Sequence, residues 1–574
     1  MSGSDAERPA APGRTVRRRH PGVRWAAVLT TLTAALAMTG CSGSSGGSSG
    51  GSSANAGVNA GAPVNGGTLT AAIPDNPDHL DSGLSYATEG WELLEATGDG
   101  LLTFKRTSGA AGAEIVPDIA TRMPTVTDAG RTYTFHLHTD VHFSPPVNRT
   151  VQPTDIKYAI QRLFRIDSGG VGFYTGIVGA SRYEKTHRGG ISGIVADDHA
   201  HTITFHLTAA DGTFLEYMAI PFAFAVPAGT PDHDISTEPR WRVATGPYMV
   251  SSYQPGNEIT LVRNPNFHQW TPNTPNGHLN RIDITIGTSP ESAVNETADG
   301  QLDWYFEAVP TDRLAQLRAQ YPDQVHIYPR NDITYFLMNL RKAPFDNLKV
   351  RQAVNFATNR NALLKIFGAQ GTPTENIIPP TMGSAYRRQW PYPYDLAKAK
   401  ALVNASGTKG MAVQVWSHST PPAPQAAEYM ASVLGSLGYH ATVKTENESV
   451  YWDTISTEKG DPQMAFVQFD QDYPEGQDFI DIQLNGEHIT NVGNQDTSNF
   501  DDAAINRQID AARAMQLGPA RNARWAALDR EIMTKAPWVP FINRDLPKFV
   551  SPKLHGLVFN GTYYEMFPDM WLSK

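Results

Sequence analysis

Few arrangements of side chains in this 574-residue sequence could do chemistry on type and spacing alone. His136 and His138 fall two apart in a segment of alternating hydrophobicity, with His142 close behind. Two imidazoles on one face of a strand can share a metal ion. A metal site needs three or four ligands, however, and an exposed strand face carries histidine without any, so no metal is expected. Gly43-Ser44-Ser45-Gly46-Gly47 fits the spacing of a nucleophile elbow, as does the run from Gly47 to Gly51. An elbow works because a strained strand-to-helix turn exposes the hydroxyl; these serines sit in a Ser/Gly run with neither element beside them, so the match is compositional. No His-Glu-x-x-His pattern occurs. With no placed nucleophile, base or metal set, the chain is expected to be a binding protein rather than an enzyme, and to need no cofactor.

The lone cysteine tells more. Arg14, Arg17, Arg18, Arg19 and Arg24 precede an apolar run from Trp25 to Met38, the charge-then-apolar order of a secretory signal peptide. That run is too short and too threonine-rich for a membrane span, which needs about 20 apolar residues. Cys41 follows at once in Met38-Thr39-Gly40-Cys41, a quartet that resembles the bacterial lipobox with Met in place of the usual Leu. Its thiol has no intramolecular partner, and acylation is the use expected of it. Residues 42–62 are almost wholly Ser, Gly, Ala and Asn, a flexible tether whose end-to-end distance is about 25 Å. The segments expected are therefore a signal peptide over 1–40, a lipidated tether over 41–65 and a folded body from Gly66, exported and anchored to the outer face of the cytoplasmic membrane.

The elements of that body can be traced by period. Leu69, Ala71, Ile73; Tyr133, Phe135, Leu137; Ile203, Phe205, Leu207; and Ile282, Ile284, Ile286 alternate as half-buried strands. The strands at 132–138 and 202–207 share a Thr-Phe-His-Leu core, yet no repeat of domain size exists. Ile156, Ala159, Ile160 and Leu163 lie on one helical face behind Pro153 and Asp155. Val350, Ala353, Val354 and Ala357 mark a second helix, with Asp346 expected as its N-cap. The length suggests three or four folding units of mixed α/β type. The formal charge of −10 becomes −14 once the +4 of the first forty residues is set aside, and such a surface repels phosphate backbones, so nucleic acid is not an expected partner.

Ordered segments along nearly the whole body resemble family 5 of the bacterial extracellular solute-binding proteins, which carry peptides and nickel complexes. They are Gly66-Gly67-Thr68-Leu69, Asp78-His79-Leu80-Asp81, Gly100-Leu101-Leu102, Thr132-Tyr133-Thr134-Phe135-His136-Leu137, Thr245-Gly246-Pro247-Tyr248, Arg263-Asn264-Pro265, Gly300-Gln301-Leu302-Asp303, Asn339, Pro344-Phe345-Asp346 and Val350-Arg351-Gln352-Ala353. The resemblance implies an α/β, two-lobed periplasmic-binding-protein-like fold (type II, cluster C), with an extra domain inserted in the first lobe. The first lobe would take 66–104, 241–328 and 538–574, the insertion 105–240, and the second lobe 329–537. It also implies a monomer that hands its ligand to an ABC permease and its ATPase.

The same resemblance implies a ligand site. In Phe469-Asp470-Gln471-Asp472-Tyr473-Pro474-Glu475, Asp472 matches the residue that pairs with a ligand α-amine, flanked by Phe469 and Tyr473; alternatively Asp472 caps a turn before Pro474. Tyr86, Thr88 and Glu89 would face the ligand from the first lobe, whereas Trp91, Leu93 and Leu94 also read as one helix face. Trp416 precedes His418 where dipeptide-binding relatives carry an arginine for the ligand carboxylate; here no arginine lies between Arg388 and Arg507, and neutral His418 is a poor substitute. A nickel-complex binder, and a sensing or structural surface lipoprotein, share the fold and remain alternatives.

Overall fold

The computed structural model describes residues 62–457, 460–491 and 494–574, so Cys41, the apolar run and all but the end of the tether lie outside the described residues. Three sheets with three separate cores organise the chain. The first is five-stranded, in the order Trp304–Tyr305, Thr68–Ile73, Arg281–Ile286, Glu258–Arg263, Tyr248–Gln254. Thr68–Ile73 runs parallel to both of its neighbours. Leu69 and Ala71 are buried as the alternation predicts, but so is Ala72, because both faces of this strand are covered: one by the main core, the other by Ala293, Leu302 and Tyr305.

The second sheet is seven-stranded: Val325–Pro329, Trp538–Phe549, Asp332–Met338, Met464–Asp470, Ala412–His418 and His440–Glu446, with Gly371–Pro373 also paired to Trp538–Phe549. Asp332–Met338 is buried along its whole length between two antiparallel neighbours, with Asp332 and Thr334 the polar residues in an otherwise apolar or aromatic run. The helix Leu348–Ala357 buries Val350, Ala353, Val354 and Ala357 against it as the spacing requires. Its N-cap is Asn347, whose side chain accepts from the Lys349 amide, and not Asp346; the chain turns one residue later than expected, and the Asp346 carbonyl instead accepts from Arg351.

The third sheet, four-stranded, has the order Thr125–Thr127, Thr132–His136, Thr202–His206, Ile194–Asp197. The two strands that share the Thr-Phe-His motif are antiparallel partners, with Thr134 opposite Thr204 and their hydroxyls 3.0 Å apart. Helix Pro153–Arg165 packs on this sheet with Pro153 in its first turn and a reciprocal capping box between Gln152 and Asp155. His142 turns its Nδ1 to the Asp140 carbonyl, and Asp140 in turn meets His268 at 3.0 Å. Among the described residues, no group of three or more His, Cys, Asp or Glu side chains is placed to hold a metal, and no helix is long and apolar enough to cross a membrane.

Candidate ligand cleft

Strand Met464–Asp470 ends at the loop that carries Asp472, and helix Gly476–Leu484 follows. The loop is pinned from both sides. Glu475 caps the helix by accepting from the Gln477 amide, and Asp478, in the first helical turn, reaches back to accept from the Asp472 amide at 2.8 Å. Tyr473 is buried between Tyr217 and Phe173, with ring centroids 5.4 and 6.3 Å away, both edge-on. Backbone and Tyr473 together fix where the Asp472 carboxylate points.

It points into a cavity of about 720 Å³ lined on one side by residues 169–217 and on the other by residues 469–513. Tyr86, Phe173, Tyr217, Phe469 and Tyr473 give it aromatic walls. The Tyr86 hydroxyl donates to Asp472 Oδ2 at 3.2 Å, while its ring stacks on Trp91 and meets Phe222 edge-on at 5.2 Å. Gly169 makes this packing possible, since a Cβ there would lie 2.9 Å from the Tyr86 ring. Among the described residues no cation pairs with Asp472. Burial pushes its carboxyl up to about 7, against the lowering effect of the Tyr86 phenol. Burial, and then the neighbouring Asp472, hold Asp478 well above the usual carboxylate range.

A second polar group shares the cavity. Asp481 accepts from His488 Nε2 at 3.2 Å and lies 3.4 Å from Arg513. Burial raises Asp481, but these two cations outweigh it and hold the carboxyl below its usual value, while the hydrogen bond to Asp481 raises the His488 imidazole.

The loop 209–213 lines the cavity and then docks on the opposite side. Thr213 donates to Gln477 Oε1 at 2.5 Å, and Gly212 sits where a Cβ would come within 2.1 Å of the Met515 carbonyl. Arg521 is buried at the joint: it pairs with Glu475 at 3.0 Å and also donates to Gln477, to the Thr213 hydroxyl and to the carbonyls of Arg513 and Met515. A cavity walled by two parts of the chain, with aromatic faces and, at Asp472, a carboxylate that no cation among the described residues meets, has the make-up of a pocket for a small organic molecule.

Residues 114–491 match the middle region of the bacterial extracellular solute-binding proteins, family 5. The chain belongs to that family. Heme-binding protein A of Haemophilus influenzae is 24% identical over 572 residues, covering 94% of this chain and 98% of the relative. Clavulanic acid biosynthesis oligopeptide binding protein 2 superposes with a TM-score of 0.83 at 23% identity, over 91% of this chain and 98% of its own. The ABC transporter-associated periplasmic binding protein DppA from Helicobacter pylori, solved with the peptide STSA, gives a TM-score of 0.72 at 22% identity, over 89% and 99%. These likenesses establish the two-lobed α/β fold of the periplasmic binding proteins.

Of the site residues expected for this family 5 protein, Tyr86, Phe469, Asp472 and Tyr473 come together on the cavity wall. Thr88 and Glu89 do not line it; they open the helix Thr88–Thr97, where burial, with Glu307 and Asp78 nearby, raises the Glu89 carboxyl. Trp416 lies elsewhere again. Lys444 sits 3.3 Å over its ring, and its Nε1 donates to Gln414 beside a separate surface hollow that includes Arg341 and Gln463. His418 is buried, and burial lowers its pKa. Trp91 donates its Nε1 to the Ser85 carbonyl and is a core residue. No arginine lies between 388 and 507, but Arg513, just beyond, ends the helix Ala503–Arg513 and lines the cavity, where it faces Asp481. Sequence reasoning also missed Phe173, Tyr217, Asp481 and His488; the glycines at 169 and 170 were the one local sign that the chain there is closely approached.

Proposed function

We propose that this protein is the extracytoplasmic binding component of an ABC importer and captures a peptide or peptide-like solute through its ammonium group at Asp472. The unpaired, half-buried carboxylate carries the reading. In a water-poor cleft a carboxylate attracts an ammonium far more strongly than in bulk water, and the bound cation returns Asp472 to its ionised form. The names of the relatives, with peptides and heme among their ligands, support a solute of similar size. In this reading the segments 66–104, 241–328 and 538–574 act as one lobe carrying 105–240, and 329–537 acts as the other. The lobes close over the solute, and a permease and its ATPase do the transport. No turnover of peptides or esters is expected even on prolonged incubation; cleavage beyond stoichiometry in rigorously pure protein would contradict a binding-only role.

Calorimetric titration of wild type and Asp472→Ala with a bound peptide and its N-acetylated form is the test. Truncating one partner of a buried charge pair costs about 2–5 kcal/mol, so the free-amine peptide should bind the variant roughly thirty-fold or more weakly, with acetylation adding little further loss. Independent, additive losses would remove Asp472 from the amine site. The anchor is inferred from Gly40-Cys41 after the apolar run. Cys41→Ser should release the protein to the medium, and retention of that variant on salt-washed membranes would refute lipidation.

A further inference from the structure

Beside the first-lobe helix Thr88–Thr97, away from the ligand cavity, lies a pocket of about 40 Å³ whose walls include Arg242, Asp81, Ser82, Thr97 and Trp241. Arg242 is only 8% exposed, and no protein acceptor meets its guanidinium: Nε and Nη1 are sealed from solvent with no hydrogen-bond partner. Asp81, the carboxylate in the same wall, is already spent. It takes both arms of Arg162 at 2.8 and 2.6 Å, the Gly83 amide at 2.9 Å and the Ile235 amide at 3.4 Å. The Thr97 hydroxyl is likewise spent on the Leu93 carbonyl at 3.1 Å.

The pocket therefore keeps one whole positive charge, because Arg162 cancels Asp81 and nothing on the chain cancels Arg242. A guanidinium does not shed its proton, and two of its three nitrogens sealed from water with no acceptor carry a desolvation cost, so buried charges are found with partners. We propose that Arg242 holds a small monoanion of halide size in this pocket, as a structural counterion between helix Thr88–Thr97 and the segment that leads into strand Tyr248–Gln254. Size sets the class. About 40 Å³ admits roughly one to three water-sized groups, which suits chloride, bromide or nitrate and excludes a phosphate ester, a peptide carboxylate with its chain, or gluconate. The Ser82 hydroxyl, in the same wall, is available as a second donor.

Thermal unfolding in gluconate buffer at fixed ionic strength, titrated with sodium chloride, should show a rise in Tm of about 1–3 °C that saturates, as expected for a ligand of the folded state alone. Bromide and nitrate should act alike. Arg242→Met should flatten the response. Crystals of the unaltered protein grown with bromide should give an anomalous peak at hydrogen-bonding distance from Arg242, which decides the matter even if the variant fails to fold. A response that never saturates or survives in Arg242→Met overturns the proposal, as does water density with no anomalous signal beside Arg242.

Discussion

Asp470 and Asp472 leave the same strand end two residues apart and meet opposite surroundings. Asp470 ends the strand Met464–Asp470, where Arg330 and Arg544 each approach within 2.9 Å, and Arg330 also bonds the Tyr564 hydroxyl. Burial would raise its carboxyl, but the two guanidinium groups outweigh that and hold it below its usual value. Asp472 has the same burial, a phenol for company and no cation, and it rises to about 7. Strand alternation would put the two on one face; the chain leaves the strand after Asp470, and that turn separates a carboxylate saturated from within the chain from one that no cation meets.

Removing the saturated carboxylate should have the largest effect. Asp470→Ala leaves Arg330 and Arg544 facing each other, and a loss of about 2–3 kcal/mol is expected in urea unfolding, below the fully buried case because the network is partly open to solvent. Asp472→Ala should lose little or nothing in the same assay; equal losses would erase the distinction.

The next effect is in pH. A free-state pKa near 7 means that below it an ammonium ligand must displace a proton, so affinity should level off by about pH 8, fall about five-fold from pH 7 to 6 and approach a tenfold fall per unit below that. Asp472→Asn should abolish that slope. The sign for stability is the reverse: a carboxyl raised on folding favours the folded state below its unfolded value near about 4, and that contribution is lost as pH rises towards 7. Asp472→Asn should therefore gain on wild type in Tm between pH 4 and 7 and hold a constant lead above. A constant difference across the range would mean that Asp472 does not titrate there.

Smaller effects test the edges of the comparison. Gly169→Ala places a Cβ against Tyr86 and should cost about 1 kcal/mol of ligand affinity by loosening the Tyr86 to Asp472 hydrogen bond, and a variant that binds normally would show that the phenol is dispensable. Trp416→Phe should change ligand affinity by less than about twofold, because Trp416 lies outside the cavity wall. A larger loss would bring Trp416 back into the site.

Much of the framework is visible in one dimension because period reports burial directly. The strands at 68–73, 132–136, 202–206 and 281–286 and the helix at 153–165 all follow from where their apolar residues fall. Asn347 and Asp346 are both competent caps, and which one acts depends on where the preceding turn ends, a matter of tertiary packing. The cavity was half visible. Asp472 and its neighbours sit in one short segment, but Phe173, Tyr217 and Arg513 reach it from parts of the chain up to 340 residues apart, and nothing local marks them as facing one another. Trp416 shows the converse: an aromatic at the end of a strand looks the same whether it meets a ligand or, as here, a lysine from the next strand.

The Arg521 joint bears on time rather than affinity. Ala209, Ala210 and Asp211 wall the cavity; the Gly212 amide then bonds the Arg513 carbonyl, and Thr213 is tied across through a guanidinium with acceptors on five residues. To part the two sides there, that guanidinium must give up the Thr213 hydroxyl while Glu475 stays beneath it. In the proposed reading a solute behind this joint leaves at the rate at which the joint yields, so Arg521 would govern residence time.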